Sequence, residues 1–124
     1  MRIIVVDKSM LISSLIKEEL LLDGHVIYEF DNARIAQSEI GKISPDLIIC
    51  GGRFSDCFSG MEFLIWCRIV FNYKKIFVIA SSYPTHEPEL YIQNGANYYI
   101  NKGIGFDNTI IEIKNVIKCN KLMV

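Results

Sequence analysis

The chain has no long apolar opening: Ile3-Ile4-Val5-Val6 is interrupted by Asp7 after four residues, too short for a membrane span or the apolar core of a signal peptide. A cytoplasmic location is expected. It has no C-x-x-C pair. Cys50, Cys57, Cys67 and Cys119 are scattered, with no histidine close enough to complete a metal set, which excludes a zinc-ribbon or dithiol-redox reading and leaves buried, reduced thiols. It has no basic excess. With 13 Lys and Arg against 14 Asp and Glu, the net charge is −1, and no stripe of positive charge calls for a nucleic-acid backbone. Repeats, linkers and low-complexity tracts are also lacking. The 124 residues, 51% hydrophobic, fit one ordinary globular domain, residues 1–124, with little room for a second.

What is present is an alternation of short apolar runs and helical patterns. The central run is Leu47-Ile48-Ile49-Cys50, preceded by Pro45-Asp46 and stopped by Gly51-Gly52. An unbroken apolar run between such signals suits a parallel strand covered on both faces, where alternation is not required. Ile3 to Val6 reads as another strand, ending on Asp7. Ser9 then N-caps a helix with Leu11, Ile12, Leu15, Ile16 and Leu20 at helical spacing, stopped by Asp23-Gly24. His25 to Phe30 is a more polar strand, placed near an edge. Asp31-Asn32 caps a helix that carries Ile35, Ala36, Ile40 and Ile43 inward. The segment from Gly60 to Phe71 is apolar almost all round, so that some of Phe63, Trp66, Val70 and Phe71 must be exposed or covered by a partner. Ile76 to Ala80 is a strand, Glu87 to Gln93 a short helix ended by Asn94-Gly95, and Tyr98 to Ile100 the last strand. Asp107 caps a final helix facing inward through Ile110, Ile113 and Ile117, with Lys114, Lys118 and Lys121 toward its end.

Five strands alternating with five helices predict an α/β fold: a doubly wound, five-stranded parallel sheet of flavodoxin-like order 2-1-3-4-5, with helices on both faces. Ligands of such sheets bind beyond the carboxyl ends of the strands, at the point where the order reverses. The predicted order brings Asp7, Gly51, Ala80, Ser81 and Lys102 around that crevice.

The residues along the whole chain resemble the receiver domains of response regulators, the phosphoacceptor modules of two-component signalling. Ile3 to Asp7 resembles the family's acidic first-strand ending, Pro45 to Ile49 its acceptor strand, Gly60-Met61-Glu62-Phe63-Leu64 the start of its third helix, and Gly95-Ala96-Asn97-Tyr98-Tyr99-Ile100-Asn101-Lys102 its last strand. The resemblance implies a phosphoacceptor aspartate at the end of the third strand, where this chain has Gly51. It implies a second acid where Lys8 stands, a fourth-strand hydroxyl where Ala80 falls, and a proline where Gly103 follows Lys102. Magnesium is held through carboxylates, phosphate oxygens and water, and Asp7 stands alone beside an added positive charge. No cofactor and no bound magnesium are therefore expected.

Each crevice residue also has a plain reading. Asp7 and Lys102 are expected to form an ion pair between two strand ends rather than a relic phosphotransfer site. Ser81 is read as a turn serine near Pro84, the alternative being a displaced switch hydroxyl. Gly51-Gly52-Arg53 reads as a tight turn, the alternative being a small anion nest of backbone N–H groups. Tyr99 matches the family's aromatic switch position and is either a contact residue or a filler of the sheet edge.

The chain is accordingly expected to be a degenerate receiver. It would act by protein interaction, without phosphorylation and not as an enzyme, with another signalling protein or a second copy as partner. No nucleic acid, membrane or small-molecule substrate is expected. Tyr91, Tyr98 and Tyr99 are the expected interaction face, with Trp66 on the third helix as the other. The alternative is phosphoryl acceptance at a shifted residue, Asp56. A flavodoxin-like enzyme would need a hydroxyl-rich phosphate loop where Lys8-Ser9-Met10 stands.

Overall fold

The computed structural model describes residues 1–51, 59–70, 76–82 and 88–122, with side chains as far as Cys119. The elements are β1 (Arg2–Val6), α1 (Met10–Leu22), β2 (Val26–Phe30), α2 (Ala33–Ile43), β3 (Leu47–Gly51), α3 (Gly60–Val70), β4 (Phe77–Ser82), α4 (Pro88–Gln93), β5 (Tyr98–Asn101) and α5 (Phe106–Leu122), with a 3-10 turn at Lys102–Ile104. The sheet order is β2-β1-β3-β4-β5 and every pairing is parallel. This is the predicted doubly wound topology, with β2 on an edge and β3 in the middle. No helix among the described residues is long and apolar enough to cross a membrane.

The strands divide the core in two. On one face, Ile4, Val6, Ile48, Cys50, Val78 and Ala80 pack with α2 and with Phe63 and Leu64 of α3. On the other, Ile3, Val5, Ile49, Ile79 and Ile100 pack with Ile16 and Leu20 of α1 and with Ile110, Ile113 and Ile117 of α5. Successive strand residues point to opposite faces, so continuous apolar runs arise because both faces are covered. All five residues of β3 are buried.

Several sequence expectations shift. Ile35 does not face inward: Ala33, Ala36, Ile40 and Ile43 form the buried stripe of α2, and Ile35 is half exposed. The spacing of Ala33 to Ala36 and Ile40 continues the same helical face, and its small residues let α2 lie close to the sheet. In α1 the buried face includes Ser13, whose hydroxyl donates to Glu29 Oε2 at 3.1 Å, while Leu11 points to solvent. Asp107 is not the cap of α5 but lies in its first turn, where a carboxylate still meets the positive end of the helix dipole. In α3, Phe63 is fully buried and Trp66 half-buried, whereas Ile65, Ile69 and Val70 are exposed; Phe71 lies outside the described residues. Among the described residues Cys50 and Cys67 are buried thiols and Cys119 is exposed; Cys57 lies outside the described residues. Burial pushes the Cys67 thiol up to about 12, with Arg68 acting weakly the other way.

Arg68 joins α3 to the lower ends of β4 and β5. Its Nε donates to Gly95 O at 2.7 Å, one terminal nitrogen to Ile76 O at 2.8 Å and the other to Asn97 Oδ1 at 2.6 Å. Asn97 Oδ1 also accepts Val78 N–H at 2.8 Å. Gly95 serves this approach twice over: its φ of +121° is one that side chains rarely adopt, and a Cβ there would run into Arg68 Cγ. Arg68→Ala leaves two backbone carbonyls without their charged donor. It is expected to lower unfolding stability by about 2 kcal/mol, measured by urea denaturation. Unchanged stability would show that water replaces the guanidinium at no cost.

Candidate functional site

The crevice follows from strand register. Ile49 of β3 pairs with Val5 of β1 and Ile79 of β4, and Gly51 pairs with Ser81. Two residues on from Val5, Ile49 and Ile79, the alternation brings Asp7, Gly51 and Ser81 to the same side of the sheet, the side covered by α1 and α5. Ala80 pairs with Cys50 and packs into the opposite core. The fourth-strand hydroxyl of the crevice is therefore Ser81, not a residue lost at Ala80. Nor is Ser81 a turn serine, since β4 runs on to Ser82. Ser81 is 2% exposed, and its hydroxyl is the one buried side-chain polar atom among the described residues without a hydrogen-bond partner.

Asp7 is bonded on every side. Its backbone N–H donates to Phe30 O at 3.0 Å, and its Oδ1 accepts the Ser9 N–H at 3.0 Å. Ser9 in turn accepts the Ile12 N–H and opens α1. Asp7 Oδ2 accepts from the Lys102 ammonium, and both side chains are about nine-tenths buried. Lys102 is held at this point by the 3-10 turn that follows β5, where Asn101 Oδ1 accepts the Gly103 N–H at 2.7 Å. Lys8 is exposed and forms no ion pair with a described residue.

Gly51 decides what the crevice holds. A Cβ at this position would stand 2.7 Å from Asp7 Oδ2, 2.8 Å from Asp7 Cγ and 3.2 Å from Val6 O. The Asp7 carboxylate thus fills the space that a side chain at residue 51 would need, and the missing side chain is what lets it lean there toward Lys102. The field of the pair reaches the other core: burial raises the Cys50 thiol well above its usual range, helped by Cys67 and Asp7, and Lys102 opposes this. Among the described residues no three His, Cys, Asp or Glu side chains gather. Among the described residues Asp7 is the one carboxylate of the crevice, and, bonded to an ammonium and to an N–H, it does not by itself offer the near-octahedral oxygen ligation that magnesium demands.

The three tyrosines lie around the edge strand β5, on both of its sides. Tyr98 and Tyr99 are neighbours in β5 and point to opposite sides. Tyr99 is half-buried; its hydroxyl donates to Ser82 O at 3.0 Å and lies 2.9 Å from Ser82 Oγ. Its ring is 5.4 Å from that of Tyr91. Burial raises the Tyr91 hydroxyl above its ordinary range, against a hydrogen bond with Ser82 that lowers it. Tyr98 is 40% exposed on the α5 side. Trp66 stacks on Phe63, with ring centroids 6.1 Å apart. Asp56, Gly52 and Arg53 lie outside the described residues.

No family model matches the chain, and no curated protein does. Solved structures match over nearly its whole length. The signal receiver domain of a protein named as a Luxo repressor, from Vibrio parahaemolyticus, is 26% identical with a TM-score of 0.79, covering 98% of this chain and 93% of that one. The chain has the receiver fold. A CheY-like response-regulator receiver domain from Methanospirillum hungatei JF-1 matches with a TM-score of 0.80 at 19% identity, covering 99% of this chain and 98% of that one. NtrX from Brucella abortus, solved in complex with ADP, matches with a TM-score of 0.77 at 22% identity. There the receiver fold covers 98% of this chain but only 27% of the other.

Sequence reasoning missed one feature of this receiver fold and left a second open. The Arg68 link joins three segments, α3, the start of β4 and the turn before β5, and a lone arginine in an apolar helix gives no sign of which carbonyls it reaches. The place of Ser81 depended on a one-residue register choice between Ala80 and Ser81, which the apolar run Ile76 to Ala80 left undetermined because a doubly covered strand carries no alternation.

Proposed function

We propose that this chain is a receiver-type module of two-component signalling that acts through protein contact and takes no phosphoryl group. The observation that carries the reading is the crevice itself, where the Asp7 carboxylate occupies the space beside Gly51 and is bonded to Lys102. Glycine offers no atom to form an acyl phosphate. The ammonium that would neutralise an incoming phosphoryl group is already neutralised by Asp7. With no second carboxylate at Lys8, magnesium has nothing to replace the lost ligands. On this reading the module is not an enzyme, and its partner is another signalling protein or a second copy of itself. Of the expected contact aromatics, Tyr98 is the one left exposed, since Tyr91 and Tyr99 are drawn toward Ser82.

The test is incubation with acetyl phosphate and magnesium, read by intact mass. No gain of a phosphoryl group is expected, and a stoichiometric gain overturns the proposal. Loss of such a gain in Asp56→Ala would assign the acceptor to the loop after β3.

A further inference from the structure

At the opposite end of the sheet from the crevice, the amino ends of β4 and β5 and one side of α5 line an open groove of about 560 Å³. Phe77 and Tyr98 open the two strands, and Glu112, Asn115, Val116 and Cys119 follow one another on α5 at steps of three, one and three residues. That spacing puts all four on one helix face. The volume lies within the range of small-molecule sites.

Its walls are unequal in chemistry. Phe77, Tyr98 and Val116 make an apolar slot, and Tyr98 offers a partly exposed ring face. Glu112 stands on the α5 wall with no cation paired to it among the described residues. The next lysine on the helix, Lys114, is turned away to Glu19 at 3.3 Å and Asp23 at 3.6 Å. Asn97 is fixed by its Oδ1, which takes Arg68 and Val78 N–H together, and so presents a positioned amide at the rim. A carboxylate with no cation paired to it among the described residues, in one pocket with an aromatic ring and an apolar slot, is complementary to a cation with an apolar body, since the ring face and the carboxylate both attract positive charge.

We propose that this groove binds a small organic cation, a flat apolar ring carrying a protonated amine. The ring lies between Phe77, Tyr98 and Val116, and the ammonium faces Glu112. The site is separate from the crevice, so binding here needs neither phosphate nor metal. The Asn97 contact joins it to Arg68 and hence to the end of α3.

The experiment is titration of the full chain with tryptamine, followed by amide chemical shifts and calorimetry, beside indole-3-propionate as a probe with the same ring and the opposite charge. Saturable 1:1 binding of tryptamine is expected at Kd of about 1 mM or tighter, with the largest shifts at Tyr98, Glu112, Val116 and Cys119. Glu112→Gln should weaken it about tenfold, and indole-3-propionate should not compete. Glu112 is only partly buried, so this variant leaves the core untouched; Tyr98→Ala, with a dispersed spectrum, should weaken binding as well. No saturable shift in the groove, equal binding of the two probes, or tryptamine affinity unchanged in Glu112→Gln would each overturn the proposal.

Discussion

Lys102→Ala is expected to lower unfolding stability by about 4 kcal/mol, because it leaves the Asp7 carboxylate buried with only the Ser9 N–H to hold it. Both members of the pair are about nine-tenths buried, so solvent screening does little to relieve the loss. Asp7→Asn should cost a comparable amount by stranding the ammonium instead. Replacing both together, as Asp7→Asn with Lys102→Met, should recover much of the loss, since neither charge then remains unpaired. Urea denaturation with and without magnesium is the measurement. The structural role of Asp7 requires the same loss in both conditions. Stabilisation of the unchanged protein by magnesium, absent in Asp7→Asn, would mean that the carboxylate serves a metal instead.

The fold was legible because its signals are local. Apolar runs stopped by Asp7 and Gly51, caps at Ser9 and Asn32, and the turn at Asn94-Gly95 each act over a few residues, and the structure uses all of them. The crevice was half legible. The run lengths bring Asp7, Gly51 and Lys102 to the same end of the sheet in any parallel arrangement of this order, and so they meet. Which way the Asp7 carboxylate leans, however, depends on empty space beside Gly51, which is a property of three strands together and not of any segment. The tyrosines were legible in part: Tyr91 and Tyr99 meet, their ring centroids 5.4 Å apart, while strand alternation turns Tyr98 to the α5 side of the edge strand β5. Asp107 and Ile35 each moved by about one helical position, the usual reach of a boundary or face assignment made without the packing partner.

Gly51→Asp should not restore an acceptor site, although it supplies the carboxylate that the resemblance implies. The new Cβ would lie 2.7 Å from Asp7 Oδ2, so Asp7 must swing away from Lys102 before the side chain fits. The displaced carboxylate and the introduced one would then compete for one ammonium in a buried space, and like charges there oppose each other. A loss of about 3 kcal/mol is expected, against about 2 kcal/mol for Gly51→Ala, which brings the steric conflict without the second charge. The difference between the two variants measures the electrostatic part, and both can be followed by urea denaturation. In the presence of magnesium and acetyl phosphate, Gly51→Asp is expected to stay unlabelled, because Lys8 still stands where a metal-binding acid is implied and Asp7 remains drawn to Lys102. Stoichiometric labelling of this single variant would show that the Asp7–Lys102 pair yields easily, and that Gly51 alone keeps the crevice silent. Wild-type stability in Gly51→Ala would refute the close approach itself, since a methyl group cannot enter that space unless the carboxylate is free to leave it.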